Sequence, residues 1–120
     1  MEKLLLKVKL DIEPVTWGTD DAKKRRDLRE AIRREIPKFG EQYMEHLIKQ
    51  CEEISVILNC YLIEPIAKDT DNLAKIPIDA VFFSAQNETG YKEWENKITL
   101  LTVRKIKSSK NALEIMLYGK

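Results

Sequence analysis

Residues 68 to 80, KDTDNLAKIPIDA, concentrate the residue types that act on phosphates. Asp69 and Asp71 stand one residue apart, Asn72 follows, and Lys75 and Asp79 come at four-residue steps after Asp71. Hydrolysis of a nucleic-acid backbone needs a few carboxylates converging on Mg2+ or Mn2+, hard cations that take oxygen ligands and keep several waters. Such a metal acidifies a bound water and stabilises the charge building on the phosphate. A lysine one helical turn after Asp71 carries the charge to stabilise the phosphate or the leaving oxygen. The same residues also have a purely structural reading. Asp71 is then a helix cap, and Asp71, Lys75 and Asp79 are i,i+4 partners, each pair contributing about 0.2–0.5 kcal/mol. Spacing alone leaves both readings open.

The rest of the chain must supply the elements that position this stretch. Leu4, Leu6, Val8, Leu10 and Ile12 alternate with Lys7, Lys9 and Asp11, the pattern of a half-buried strand. Pro14 and Gly18 break the chain into a loop over 13–18. Thr19, Asp20 and Asp21 offer N-caps for a helix through about Glu35, with Leu28, Ala31, Ile32 and Ile36 on its apolar face. Pro37 ends or kinks it. A second helix is predicted over about 38–51, with Phe39, Tyr43, Leu47 and Cys51 along one stripe and Met44 and Ile48 beside it. The β-branched and aromatic run ISVILNCYLI, 54–63, reads as a central strand, ended by Pro65. Asp71 or Asn72 would cap a third helix reaching about Ser84, kinked by Pro77.

QNETGYKEWEN, 86–96, reads as a polar loop. KITLLTVRKIK (97–107) and ALEIMLYG (112–119) read as strands around the turn KSSKN, and would pair as a hairpin. The expected fold class is therefore α+β, in the order β-α-α-β-α-β-β. One mixed sheet carries the helices, and a C-terminal β-hairpin closes the chain.

A chain of 120 residues suits one domain, 1–120, around a single core. Its hydrophobic share is 43% and its charged share 34%, enough patterned apolar residues to fold. The net charge of +1 gives no bulk attraction to nucleic acid, so any basic surface comes from clustering. Lysines interrupt the apolar start MEKLLLKVKL, so it is not expected to act as a signal peptide, and no run approaches a membrane span. Cys51 and Cys60 form neither a disulfide framework nor a zinc spacing, and His46 reads as a surface histidine on a helix. A cytoplasmic protein with no membrane contact is the expectation.

Two segments are basic. KKRRDLREAIRR, 23–34, holds seven basic residues, and Lys23, Arg26, Arg29 and Arg33 fall within roughly a third of the helical circumference. Leu28 and Ile32 point away from that stripe, which suits phosphate contact. Asp27, Glu30 and Glu35 on the same helix fit a solvated, salt-bridged face equally well. Near the C-terminus Lys97, Arg104, Lys105, Lys107 and Lys110 stand against Glu114 alone. They would hold a DNA backbone beside the acidic stretch, or protect an edge strand from association.

DTDNLAKIPIDAV, 69–81, resembles the motif of the RusA-type Holliday-junction resolvases, D-x-D-N-x-x-K followed by an apolar helix containing D-A-L. Asp69, Asp71, Asn72, Lys75, Asp79 and Ala80 match it. The resemblance runs from about residue 62 to 119 and is only topological before that. It implies a small homodimeric endodeoxyribonuclease that binds four-way (Holliday) junctions. Such an enzyme makes paired symmetric cuts with Mg2+ or Mn2+, in DNA recombination and repair. It implies Asp69 and Asp71 as metal ligands and Lys75 as the catalytic lysine. The family's third carboxylate, an aspartate just before the next strand, corresponds to Glu95 in WENKI, with Glu88 and Glu93 as rivals in a longer loop. The first loop keeps its proline but lacks the family's asparagine- and basic-rich character. The changed third carboxylate keeps a second reading open, a relative that binds nucleic acid without cutting it.

Overall fold

The computed structural model describes residues 2–16, 21–35, 48–84 and 96–120, with Asp71, Phe83 and Ser84 in backbone only. Four strands form one sheet: β1 (Lys3–Leu10), β2 (Ile54–Leu62), β3 (Ile98–Lys107) and β4 (Ala112–Gly119). Two α-helices are described, α1 (Ala22–Glu35) and α2 (Lys75–Ser84). Of the helix predicted over 38–51, only 48–51 is described; 48–50 is helical and Cys51 lies just past its end. The polar loop predicted over 86–96 lies almost wholly outside the described residues. The architecture is α+β with one mixed sheet, in the order β1-β4-β2-β3.

The two C-terminal strands do not form the predicted hairpin. β3 runs parallel to β2 on one side, and β4 runs antiparallel to β2 on the other. Lys107 lies opposite Leu62 and Ala112 opposite Tyr61, so 108–111 steps over the end of β2. The Ser108 N–H donates to the Leu62 carbonyl at 2.9 Å, and the Asn111 side chain accepts from the Ile63 N–H at 3.1 Å. Crossing one intervening strand means covering about 9.5 Å, within reach of a four-residue link. Link length therefore fits either topology. Burial decides between them. β2 is buried at seven of its nine positions, Ser55 and Asn59 among them, and takes a hydrogen-bonded neighbour on each side.

β1 departs from strict alternation. Leu4 pairs with Tyr118 and Leu6 with Leu117, so Leu5 is an extra residue in a bulge. The bulge moves Leu4 out to solvent, 47% exposed, and buries Leu5. Leu6 and Val8 remain in the core as predicted. Gly119, at the end of β4, passes close to this point: a Cβ there would overlap Cys51 Sγ and sit 2.8 Å from Leu5 Cδ1.

α1 starts where its cap predicts. The Asp21 carboxylate accepts from the Lys24 N–H at 3.1 Å, and Leu28 and Ile32 are buried. α1 packs on α2. α2 begins later than its sequence suggests. Asp71 is not its cap but opens a 3-10 turn, Asp71–Leu73, and the first α-type bond runs from the Ile78 N–H to the Ala74 carbonyl at 3.1 Å. Pro77 is the third residue of α2, where an N–H would have no acceptor within the helix, so it fits the first turn instead of kinking it. Ile76, Ala80, Val81 and Phe82 bury this helix around most of its circumference. They join Val56, Leu58, Leu62, Leu113 and Ile115 from one face of the sheet, with Leu28 and Ile32, in a single apolar cluster. No described helix is long and apolar enough to cross a membrane.

Candidate active site

The acidic stretch follows the buried end of β2. After Leu62 the chain makes a 3-10 turn, Pro65–Ala67, runs extended through Lys68, and turns again at Thr70–Leu73 into α2. Leu73, Ala74 and Ile76 are buried and anchor the far side of this segment. Asp69 is left exposed between the two turns. It lines an open cavity of about 620 Å3 with Ile66, Lys68, Thr70, Ala74, Leu101, Val103 and Lys105. The cavity lies along β3, the edge strand of the sheet, on the face that carries the helices.

Lys105 holds the acidic turn. Its ammonium donates to the Lys68 carbonyl at 2.8 Å, fixing the peptide that leads into Asp69. Lys68 itself turns the other way, to the loop after β1. It meets Glu13 Oε1 at 3.0 Å, and Glu13 also pairs with Lys24 of α1 at 3.5 Å. The Lys68 hydrogen bond, reinforced by the charges of Lys68 and Lys24, holds the Glu13 carboxyl below its ordinary range despite partial burial. The loop after β1, the start of α1 and the acidic turn are thus tied together. Cys60, one turn of chain before this region on β2, is fully buried, and burial pushes its thiol up to about 11. It packs as a small apolar residue.

The other expected site residues fall into three groups. Lys75 opens α2 and its ammonium lies 3.8 Å from Asp79 Oδ1, an i,i+4 pair half open to solvent. It is not among the residues lining the Asp69 cavity. The Asp71 side chain, and Glu95 with its rivals Glu88 and Glu93, lie outside what is described. Among the described residues no group of three His, Cys, Asp or Glu side chains is gathered closely enough to hold a metal.

The basic residues of β3 divide by face, as alternation along a strand requires. Lys105 and Lys107 reach the helix-bearing face, and Lys107 donates to the Ile63 carbonyl. Arg104 points to the opposite face, where its Nε donates to Asn59 Oδ1 at 2.8 Å. Asn59 is buried and passes a second hydrogen bond to Glu114 at 2.8 Å, so Arg104 belongs to a cross-strand row away from the Asp69 cavity. Lys110 is exposed in the link between β3 and β4. Lys97 donates to the carbonyls of Ile48 and Lys49, at the end of the helical segment 48–50. On α1, Lys23 and Arg26 are exposed, Arg29 and Arg33 are half-buried, and Lys23 pairs with Asp27 at 2.9 Å.

Sequence reasoning did not single out Lys68 or Glu13, whose pairing joins the first loop to the acidic turn. It also counted Arg104 and Lys105 together. Strict period two along β3 is the signal that separates them.

No protein-family model matches this chain, and no curated protein matches it.

Proposed function

We propose that this protein is a RusA-like, divalent-metal-dependent endodeoxyribonuclease that resolves four-way DNA junctions by paired symmetric cuts, acting as a homodimer. The observation that carries the reading is the exposed Asp69 carboxylate on a turn fixed at both ends, sharing an open cavity with the Lys105 ammonium. The donor chemistry fits in kind: an exposed carboxylate at an open cavity suits a hard cation that keeps most of its waters. Asp69 and Asp71, with Glu95, are the residues that would hold Mg2+ or Mn2+. The bound metal would supply Lewis-acid stabilisation of the phosphate and an acidified water.

The chain's own residues do the remaining work. Lys105 keeps the Asp69 peptide in place and brings positive charge to the cavity, where a phosphate oxygen gains from it. Lys75, at the head of α2, supplies a second cation to charge developing at the leaving oxygen. Lys107 and Lys110 continue the positive edge along which a DNA strand would track, as would Lys23 and Arg26 on α1. A junction presents two equivalent strands, and a two-fold dimer presents two equivalent cavities.

The test is cleavage of a synthetic four-way junction with Mg2+, with Mn2+, and in chelator. Metal-dependent nicks at symmetric positions in two opposed strands are expected. Salt-sensitive junction binding in chelator with no cleavage in either metal would instead favour the relative that binds without cutting. Neither binding nor cleavage would reduce Asp69 and Asp71 to residues of a structural turn.

A further inference from the structure

Ile66 is 98% exposed, the most exposed large apolar side chain described, and Ile63 beside it is 46% exposed. A single exposed isoleucine is unremarkable. Its setting is not. Ile66 is the ridge between two hollows: the Asp69 cavity on one side, and on the other an apolar groove of about 660 Å3 lined by Glu64, Pro65, Ala67 and Lys107. The ridge is held by a 3-10 turn, closed by the Ala67 N–H on the Glu64 carbonyl and the Lys68 N–H on the Pro65 carbonyl, both at 3.3 Å. Pro65 fixes one backbone angle of that turn. Presenting an apolar side chain from so constrained a turn costs little further ordering when it binds.

Resting on the nuclease reading above, we propose that Ile66 is an apolar wedge that packs against an unstacked nucleobase at the branch point of a DNA junction. Intact duplex offers no such face, because every base is covered by its neighbours. A branch point exposes the faces of its terminal pairs, and apolar side chains occupy such gaps in the stack. The flanking charge fits a nucleotide better than a protein side chain. Lys105 lies on one side of the ridge and Lys107 on the other, and each ammonium spends one of its three donors on a backbone carbonyl. The remaining donors are available to the phosphates on either side of the base. Asp69 lies three residues beyond the wedge, so the base contact would select branched DNA next to the reacting phosphate.

The experiment uses the full chain in chelator, where cleavage is blocked, and a four-way junction carrying 2-aminopurine at the branch point. The wild type should raise the fluorescence several-fold as the base leaves the stack. Ile66→Ser should abolish that rise and weaken junction binding on the order of tenfold, leaving duplex binding unchanged. Ile66→Leu should keep both. Because Ile66 is exposed, both variants should unfold with the wild-type curve. If Ile66→Ser keeps the wild-type rise and junction affinity, the wedge is refuted while the nuclease reading stands. If Ile66→Ser turns a dimer into monomers without changing the fluorescence, a second copy covers the ridge and the wedge is likewise refuted. If the wild type binds no junction at all, both readings fall.

Discussion

Lys105→Met removes the ammonium that holds the Lys68 carbonyl and keeps most of the aliphatic stem, so packing beside Leu101 and Val103 changes little. A hydrogen bond from a charged donor contributes about 1.5–3 kcal/mol when shielded. Lys105 is only half-buried at an open cavity, and screening brings the expected loss to about 1 kcal/mol. For a chain of this size that corresponds to a fall in Tm of about 3–6 °C. Differential scanning calorimetry in chelator measures it, with Lys110→Met as control. Lys110 is exposed in the β3–β4 link, so its removal should leave Tm unchanged. Junction cleavage under single-turnover conditions should fall much further in Lys105→Met than in Lys110→Met, because only Lys105 shares the cavity with Asp69. A Tm within about 1 °C of wild type would show that the 2.8 Å contact does not hold the turn, and equal cleavage by the two variants would remove Lys105 from the site.

Asp71→Asn should fold with wild-type stability, lose junction cleavage and bind junction DNA at least as tightly, whereas Lys75→Ala should lower cleavage by about 10²–10³ with a modest loss of affinity; wild-type cleavage by Asp71→Asn would end its assignment as a ligand. Gly119→Ala should destabilise by about 1–3 kcal/mol in urea unfolding, since its Cβ overlaps Cys51 Sγ and crowds Leu5, and Cys51→Ala in the same chain should recover much of the loss. Glu13 is held below its ordinary carboxyl range in the folded state, so its contribution is present above the unfolded value near 4.5 and fades as pH falls through the lower folded one. The stability difference between wild type and Glu13→Gln should accordingly be flat from pH 7 to about 5 and close below that; a difference that persists at pH 2 would contradict the Lys68 pairing.

The features legible in one dimension were those set by local periodicity and local hydrogen bonding. β2 reads as a central strand because it is rich in β-branched and aromatic residues, and α1 because Asp21 caps it and Leu28 and Ile32 share a stripe. The carboxylates and lysines of 68–75 were equally visible, and so was their place between a strand end and a helix. What sequence left open was decided by neighbours distant along the chain. Whether β3 and β4 pair with each other or enclose β2 depends on which strand has two unsatisfied edges, a property of the assembled sheet. Leu4 changes face because of a bulge against β4, more than a hundred residues away. Pro77 starts α2 instead of bending it because the helix is delayed by the 3-10 turn at Asp71–Leu73. The same holds at the site. Lys105 stands thirty-six residues from Asp69, and only the parallel pairing of β3 with β2 lays it beneath the acidic turn, while alternation along that strand sends Arg104 to the opposite face. Residue type and spacing specify what chemistry a side chain can do; pairing and register specify which side chains meet.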